Sequence, residues 1–198
     1  MLKRIATLAA TAGLALALVG CAHPISMAPD LSKVEPAAGD TAVDKKAGYY
    51  IAASATAMQA TTAGGGGDKV RYFPYRDLET GIYKALSTVF RDVTKIRDPQ
   101  DAAEIRESGI QLLIIPDIRT TSRSDSLVTW PPTAFTVAIQ CQVKDAQGKT
   151  LDTIQVEGQG VAEFDEFKSN FSLAAVRASN DALTKLMAAL RKSPALAK

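Results

Sequence analysis

The 198-residue sequence is poor in the residue types that most enzyme chemistry uses. It contains one histidine, His23, and two cysteines, Cys21 and Cys141. A Ser-His-Asp triad needs an imidazole within the folded domain, and His23 lies in the N-terminal stretch read below as a spacer. One histidine also makes no metal site, so neither a metal nor a cofactor is expected. Charge of one sign is missing too. Lys3 and Arg4 are two of the 23 basic residues, and the rest match the 21 acids, so the chain beyond residue 20 has no net charge. There is no basic cluster and no nucleic-acid fold motif, which excludes nucleic acid as a partner. After residue 20 no apolar run is long enough to span a bilayer, which takes about 20 residues.

The start of the chain carries an address. Lys3 and Arg4 form a positive n-region, and Ile5 to Val19 is uncharged and rich in small residues. This reads as a signal peptide over residues 1–20 rather than a transmembrane helix. Leu18-Val19-Gly20-Cys21 then resembles the lipobox of bacterial lipoproteins. The resemblance implies cleavage before Cys21, diacylglyceryl on its thiol and acylation of the new amino group; the alternative is an ordinary secretory signal. Each buried acyl methylene contributes about 0.8 kcal/mol, and two chains already give stable anchoring. Asp after the cysteine retains such proteins at the inner membrane. Ala22 stands there instead, which implies the periplasmic face of the outer membrane. With Cys21 lipidated, Cys141 has no intrachain partner, which excludes a disulfide framework. Cys141 falls in the alternating apolar row Phe135, Val137, Ile139, Cys141, Val143 and reads as a buried small hydrophobe.

Along the chain, residues 21–47 lack periodicity and are expected to be the lipidated cysteine and a flexible tether. Residues 48–198 read as a single α+β domain. A strand is predicted over Tyr49–Thr56, a mobile loop over 60–68 around Gly64–Gly67, and a short extended piece through Val70, Tyr72 and Pro74. A helix capped by Asp77 follows, with a stripe of Leu78, Ile82, Leu86, Val89, Phe90 and Val93. A short helix opens at Asp98-Pro99. Strands are predicted over 110–121, 133–145 and 150–164, the last two joined by a turn at Gly148, and a helix over 169–191 closes the chain. The order is β-α-(α)-β-β-β-α: a mostly antiparallel sheet of about four strands with two main helices on one face.

This order, on a lipobox, resembles small α/β lipoproteins of Gram-negative envelopes, the YajG-type lipoproteins and the accessory lipoproteins of polymer export or ABC transport. The matching stretches are Leu18–Cys21, "YRDLETGIYKALSTVF", the Asp145–Lys149 hairpin and "NDALTKLMAAL". The resemblance implies a non-enzymatic role at the membrane with an envelope protein as partner. It also leaves a homo-oligomer open, since ring-forming relatives exist among such proteins.

Gly64–Gly67 invites comparison with a phosphate loop. Lys69 follows Asp68 rather than glycine, and Val70 stands where a P-loop needs a hydroxyl. No helix starts directly after the glycines either. Recognition residues are sought instead in Arg71, Tyr72, Phe73, Tyr75 and Arg76, because aromatics and arginine dominate binding hot spots; some of them are equally suited to packing under the helix. Trp130, at the tip of "SRSDSLVTWPP", either anchors a partner or seals the sheet edge. Three functions follow in order: an outer-membrane accessory lipoprotein without enzymatic activity, a lipid- or glycan-binding lipoprotein, and a hydrolase using acids such as Asp117 and Glu163. The nearby Glu163, Asp165 and Glu166 read first as helix capping and dipole compensation.

Overall fold

The computed structural model describes residues 22–196, so the signal segment and Cys21 lie outside the described residues. Two sheets and five helices form a mixed α+β fold. The strands are β1 Ala22–Pro24, β2 Val43–Tyr49, β3 Ala60–Ala63, β4 Lys69–Tyr72, β5 Phe90–Lys95, β6 Leu112–Arg123, β7 Ala134–Asp145 and β8 Thr150–Val161. The helices are α1 Ala53–Thr56, α2 Pro74–Val89, α3 Ala102–Glu107, α4 Phe164–Phe167 and α5 Leu173–Arg191. One sheet has the order β1-β4-β3 and the other β5-β2-β6-β7-β8.

The larger sheet has five strands and is mixed, where about four mostly antiparallel strands were predicted. β2 runs parallel to both β5 and β6, while β6, β7 and β8 are antiparallel neighbours. The predicted strand at Tyr49–Thr56 is displaced toward the N-terminus. Its polar start is stabilised against the edge strand β5, where Lys46 pairs with Asp92 at 2.8 Å. The alanine-rich stretch that follows favours a helical turn, α1. Phe90 and Val93, predicted in the helical stripe, belong to β5 instead, because α2 ends at Val89. Pro74 opens α2 at its first turn, where its missing N–H costs nothing. Asp101, not Asp98, caps α3, accepting from the N–H groups of Ala103 and Glu104.

The long hairpin forms as predicted. Asp145 and Lys149 close it, and Gly148 takes a φ of +83°. The alternating row of β7 is buried at Phe135, Val137, Ile139, Cys141 and Val143. Against it pack Leu78, Ile82, Leu86 and Val89 of α2, and Leu183, Leu186 and Leu190 of α5, all fully buried. The approach of α5 to β8 depends on glycine. A Cβ at Gly158 would lie 2.2 Å from the Ala182 nitrogen, and one at Gly160 would lie 2.1 Å from the Ala174 carbonyl. A smaller cluster of Ile96, Ile105, Ile110 and Leu113 forms beside α3.

The stretch predicted as a flexible tether is laid onto the domain. β1 pairs in parallel with β4, and Met27 and Val34 are fully buried. Side chains of α2 and α5 capture its backbone. The Met27 N–H donates to Asp77 at 3.1 Å, and the Ser179 hydroxyl donates to the Met27 carbonyl at 2.7 Å. Asn180 exchanges two hydrogen bonds with the Asp30 backbone, at 3.0 and 2.7 Å. A segment held residue by residue in this way needs no hydrophobic period, so it shows none. Asp77, predicted to cap its own helix, serves this segment instead.

Candidate interaction surfaces

The predicted recognition residues divide among three environments. Tyr72 belongs to the core: its ring meets Phe135 edge-on at 5.2 Å, and its hydroxyl lies 2.7 Å from Thr120. Tyr75 is buried as well. Its hydroxyl donates to Asp117 at 3.2 Å and accepts from the Ile118 N–H at 3.1 Å. Burial raises both phenols above their ordinary pKa. These two tyrosines face inward because β4 alternates and the start of α2 turns Tyr75 under β6. Arg71 is exposed on the opposite face of β4.

Phe73 and Arg76 do reach a surface site. They line a solvent-open groove of about 880 Å³ together with Tyr50, Ile51, Glu79, Lys95, Ile96 and Arg97. The Arg76 guanidinium lies 3.7 Å from the centre of the Phe73 ring, a cation–π contact that holds both side chains. Lys95 pairs with Glu79, and Arg97 pairs with Glu104 at 3.1 Å. Arg76 also pairs with Asp77 at 3.3 Å, so the groove has an apolar floor and a rim on which each cation meets a carboxylate. Tyr49, next to the groove, is pushed up to about 12, chiefly by burial and then by the Glu79 carboxylate.

Trp130 lies at a third place, beside the N-terminal segment. Its indole stacks on His23 with centroids 4.3 Å apart and planes 14° apart, and its other neighbour is Phe171 at 4.9 Å. His23 Nε2 is 3.1 Å from the Asp68 carboxylate. The glycine stretch forms the other wall. Gly64–Asp68 join β3 to β4, and the loop is not free. The Gly65 N–H donates to the Trp130 carbonyl at 2.9 Å, and the Gly66 N–H donates to the Ser126 carbonyl at 3.0 Å. A Cβ at Gly65 would lie 2.0 Å from the Thr129 carbonyl. The glycines therefore serve a close approach of two backbones. Nothing in the sequence pattern pairs residues 64–68 with 124–130 or with His23, so this contact was not foreseen.

No family model matches the chain, and no curated protein matches it. Solved structures do. A DUF330-family protein from Xanthomonas campestris aligns over 84% of this chain and 93% of its own, with 11% identity and a TM-score of 0.50. A minor lipoprotein from Acinetobacter baumannii aligns over 76% and 94%, with 11% identity and a TM-score of 0.42. A PelC dodecamer from Paraburkholderia phytofirmans aligns over 74% and 95%, with 12% identity and a TM-score of 0.37. The DUF330 protein shares the fold.

The acids proposed for hydrolysis do not converge. Asp117 stands opposite Gln140 and Gln155 in mid-sheet, whereas Glu163 follows Val161, which aligns with Ala134 and Arg123 at the sheet end. Six strand residues separate the two levels, about 20 Å. Glycoside hydrolysis needs carboxyl groups within about 10 Å. Asp117 is paired with Arg119 at 3.3 Å. Glu163 and Glu166 form a capping box on α4, and Arg177 binds Glu166 at 2.6 Å, as the capping reading predicts. Cys141 is fully buried, and desolvation pushes its thiol up to about 12, far from a reactive thiolate. Among the described residues no group of three or more His, Cys, Asp or Glu side chains is placed to hold a metal ion, and no helix is long and apolar enough to cross a membrane.

Proposed function

We propose that this chain is an outer-membrane lipoprotein, anchored through Cys21, whose α+β domain works by binding another envelope component rather than by catalysis. The lipobox Leu18–Cys21, directly followed at Ala22 by a strand docked on the domain, carries the reading. The partner surface is the groove of Phe73, Arg76, Lys95 and Arg97. Its apolar floor and arginine-rich rim combine the features of a hot spot: an aromatic held rigid, and exposed arginines whose surface ion pairs can exchange for a partner's carboxylate. An acidic protein segment with one apolar anchor residue fits that chemistry. Photo-crosslinking from position 97 in intact cells tests it. A discrete adduct, lost when Phe73→Ala and Arg76→Glu are combined, is the expected result; no adduct, or one indifferent to both substitutions, counts against the groove.

A second reading makes the same groove a site for a small lipid or glycan, since its volume lies within the range of small-molecule sites. Native mass spectrometry of protein extracted from membranes separates the two. A bound small molecule lost in the Phe73→Ala variant favours the ligand.

A further inference from the structure

Among the described residues, five of the eight large exposed apolar side chains gather in one region, and Leu31, Met58 and Tyr83 lie elsewhere. Leu127 and Val128 are each 90% exposed, and Val161, Phe164 and Phe171 are the next at that end of the domain. Strand register puts Val161 at one end of the large sheet, where Arg123, Ala134 and Val161 align across β6, β7 and β8, and Phe171 packs against Trp130 of the loop that starts there. Leu127 and Val128 lie in the loop that leaves β6 there, and Phe164 and Phe171 follow β8. The chain also enters the fold at this end. Ala22 pairs with Lys69, beside the glycine turn that binds the Ser126 and Trp130 carbonyls, so the first described residue lies next to the loop that carries Leu127 and Val128.

We infer that this end is a membrane-contacting tip, with Leu127 and Val128 inserted into the leaflet that holds the acyl chains of Cys21. The orientation rests on the lipoprotein reading of Cys21. Two features distinguish the tip from a floppy loop. The Ser126 hydroxyl accepts from the Thr129 N–H at 3.0 Å and the Val128 N–H at 3.3 Å, which turns the two apolar side chains outward. The glycine turn and the His23–Trp130 stack then tie that loop to the first residues after the lipid. Two adjacent aliphatic side chains held in water serve no packing role, and such patches mark interaction surfaces. Three ion pairs cancel at the tip, Arg123 with Asp125, Lys168 with Asp165 and Arg177 with Glu166, and the Glu163 carboxylate outside them caps α4. The contact is therefore hydrophobic, and neither anionic lipid nor low salt is needed for it.

The sole tryptophan makes the test direct. Acylated protein is reconstituted in phosphatidylcholine vesicles with brominated acyl chains. A tryptophan is placed either at the tip, Leu127→Trp with Trp130→Phe, or on the far hairpin, Gln147→Trp with Trp130→Phe. Fluorescence at the tip should fall to half or less, equally in high salt, while the far position stays unquenched. In a chain that keeps Trp130, Leu127→Asp with Val128→Asp should abolish any quenching of that indole; loss of each apolar contact weakens insertion about tenfold. Intact mass reports acylation in the same samples. An acylated protein with position 127 unquenched, or with both positions quenched alike, overturns the tip alone. An unacylated protein that fails to float with vesicles overturns the anchor reading and the tip with it. Disulfide crosslinking of two copies through Leu127→Cys, with no quenching, shows a self-interface and also overturns the tip.

Discussion

Alanine at position 65 distinguishes a packed glycine turn from a mobile one by the sign of its effect. In a mobile loop, Gly→Ala stabilises a protein by about 0.4–1 kcal/mol, because it restricts the unfolded chain. Here the new methyl group would meet the Thr129 carbonyl at 2.0 Å, the Ser124 hydroxyl at 2.7 Å and the Ser126 carbonyl at 3.0 Å. Two of these three atoms are backbone, so rotamer changes cannot relieve the clash. The turn must separate from the 124–130 loop, which breaks the bonds from Gly65 to Trp130 and from Gly66 to Ser126. Two hydrogen bonds at about 1 kcal/mol each, plus overpacking of about 1–3 kcal/mol, give a loss of about 3–5 kcal/mol. For a chain of this size that lowers Tm by roughly 6–20 °C. Urea unfolding followed by far-ultraviolet circular dichroism measures the loss, and Trp130 emission reports whether the loop has moved. Gly67→Ala is the control: its φ is +85° with no atom within 4 Å of the new Cβ, so only the backbone cost of about 1 kcal/mol applies. An unchanged or raised stability for Gly65→Ala would refute the packed turn.

Other perturbations test the remaining contacts. Met27→Ala should cost about 2–5 kcal/mol, as truncation of a fully buried side chain does, whereas a free tether would feel nothing; thermal unfolding checks it. Tyr75→Phe leaves the buried Ile118 N–H without its acceptor and should cost about 1–3 kcal/mol in urea unfolding, with the fold intact. The hydrogen bonds from Arg177, and then the Glu163 N–H, hold the Glu166 carboxyl down at about 2. Its folded value lies below its unfolded one, so the pair stabilises above the ordinary carboxylate pKa and is lost as pH falls toward 2. Glu166→Gln should therefore lower Tm at neutral pH and converge with the wild type in acid; a gap that persists in acid would rule out that linkage. The Cys141 thiol should resist a water-soluble disulfide reagent until the protein unfolds, and fast labelling of the native protein would contradict its burial.

The parts of the fold that were legible in the sequence are those written in a period. The alternation of β7, the glycine of its hairpin and the four-and-three spacing of Leu78, Ile82, Leu86 and Val89 each identify an element by themselves. What was hidden depends on contacts distant in sequence. β2 looks polar because Lys46 meets Asp92 on a strand over 40 residues away. Residues 22–47 look like a spacer because Ser179, Asn180 and Asp77 supply their hydrogen bonds. At the candidate site, Phe73 and Arg76 were legible as an aromatic-arginine pair, whereas Tyr72 and Tyr75 were not separable from them. Only the pleat of β4 and the entry into α2 decide which of these side chains turn inward. The glycine stretch resembled a cradle or a hinge because sequence shows permissive backbone without showing what approaches it.

The proposed function requires that this domain be tied to a membrane through Cys21. Metabolic labelling with radioactive palmitate, comparing the wild type with Cys21→Ser and separating inner from outer membranes, tests it most directly. Label is expected on the wild type in the outer-membrane fraction, with an unlabelled Cys21→Ser chain that no longer sediments with it. Label that survives Cys21→Ser, or a wild-type chain that takes up none, would contradict the claim.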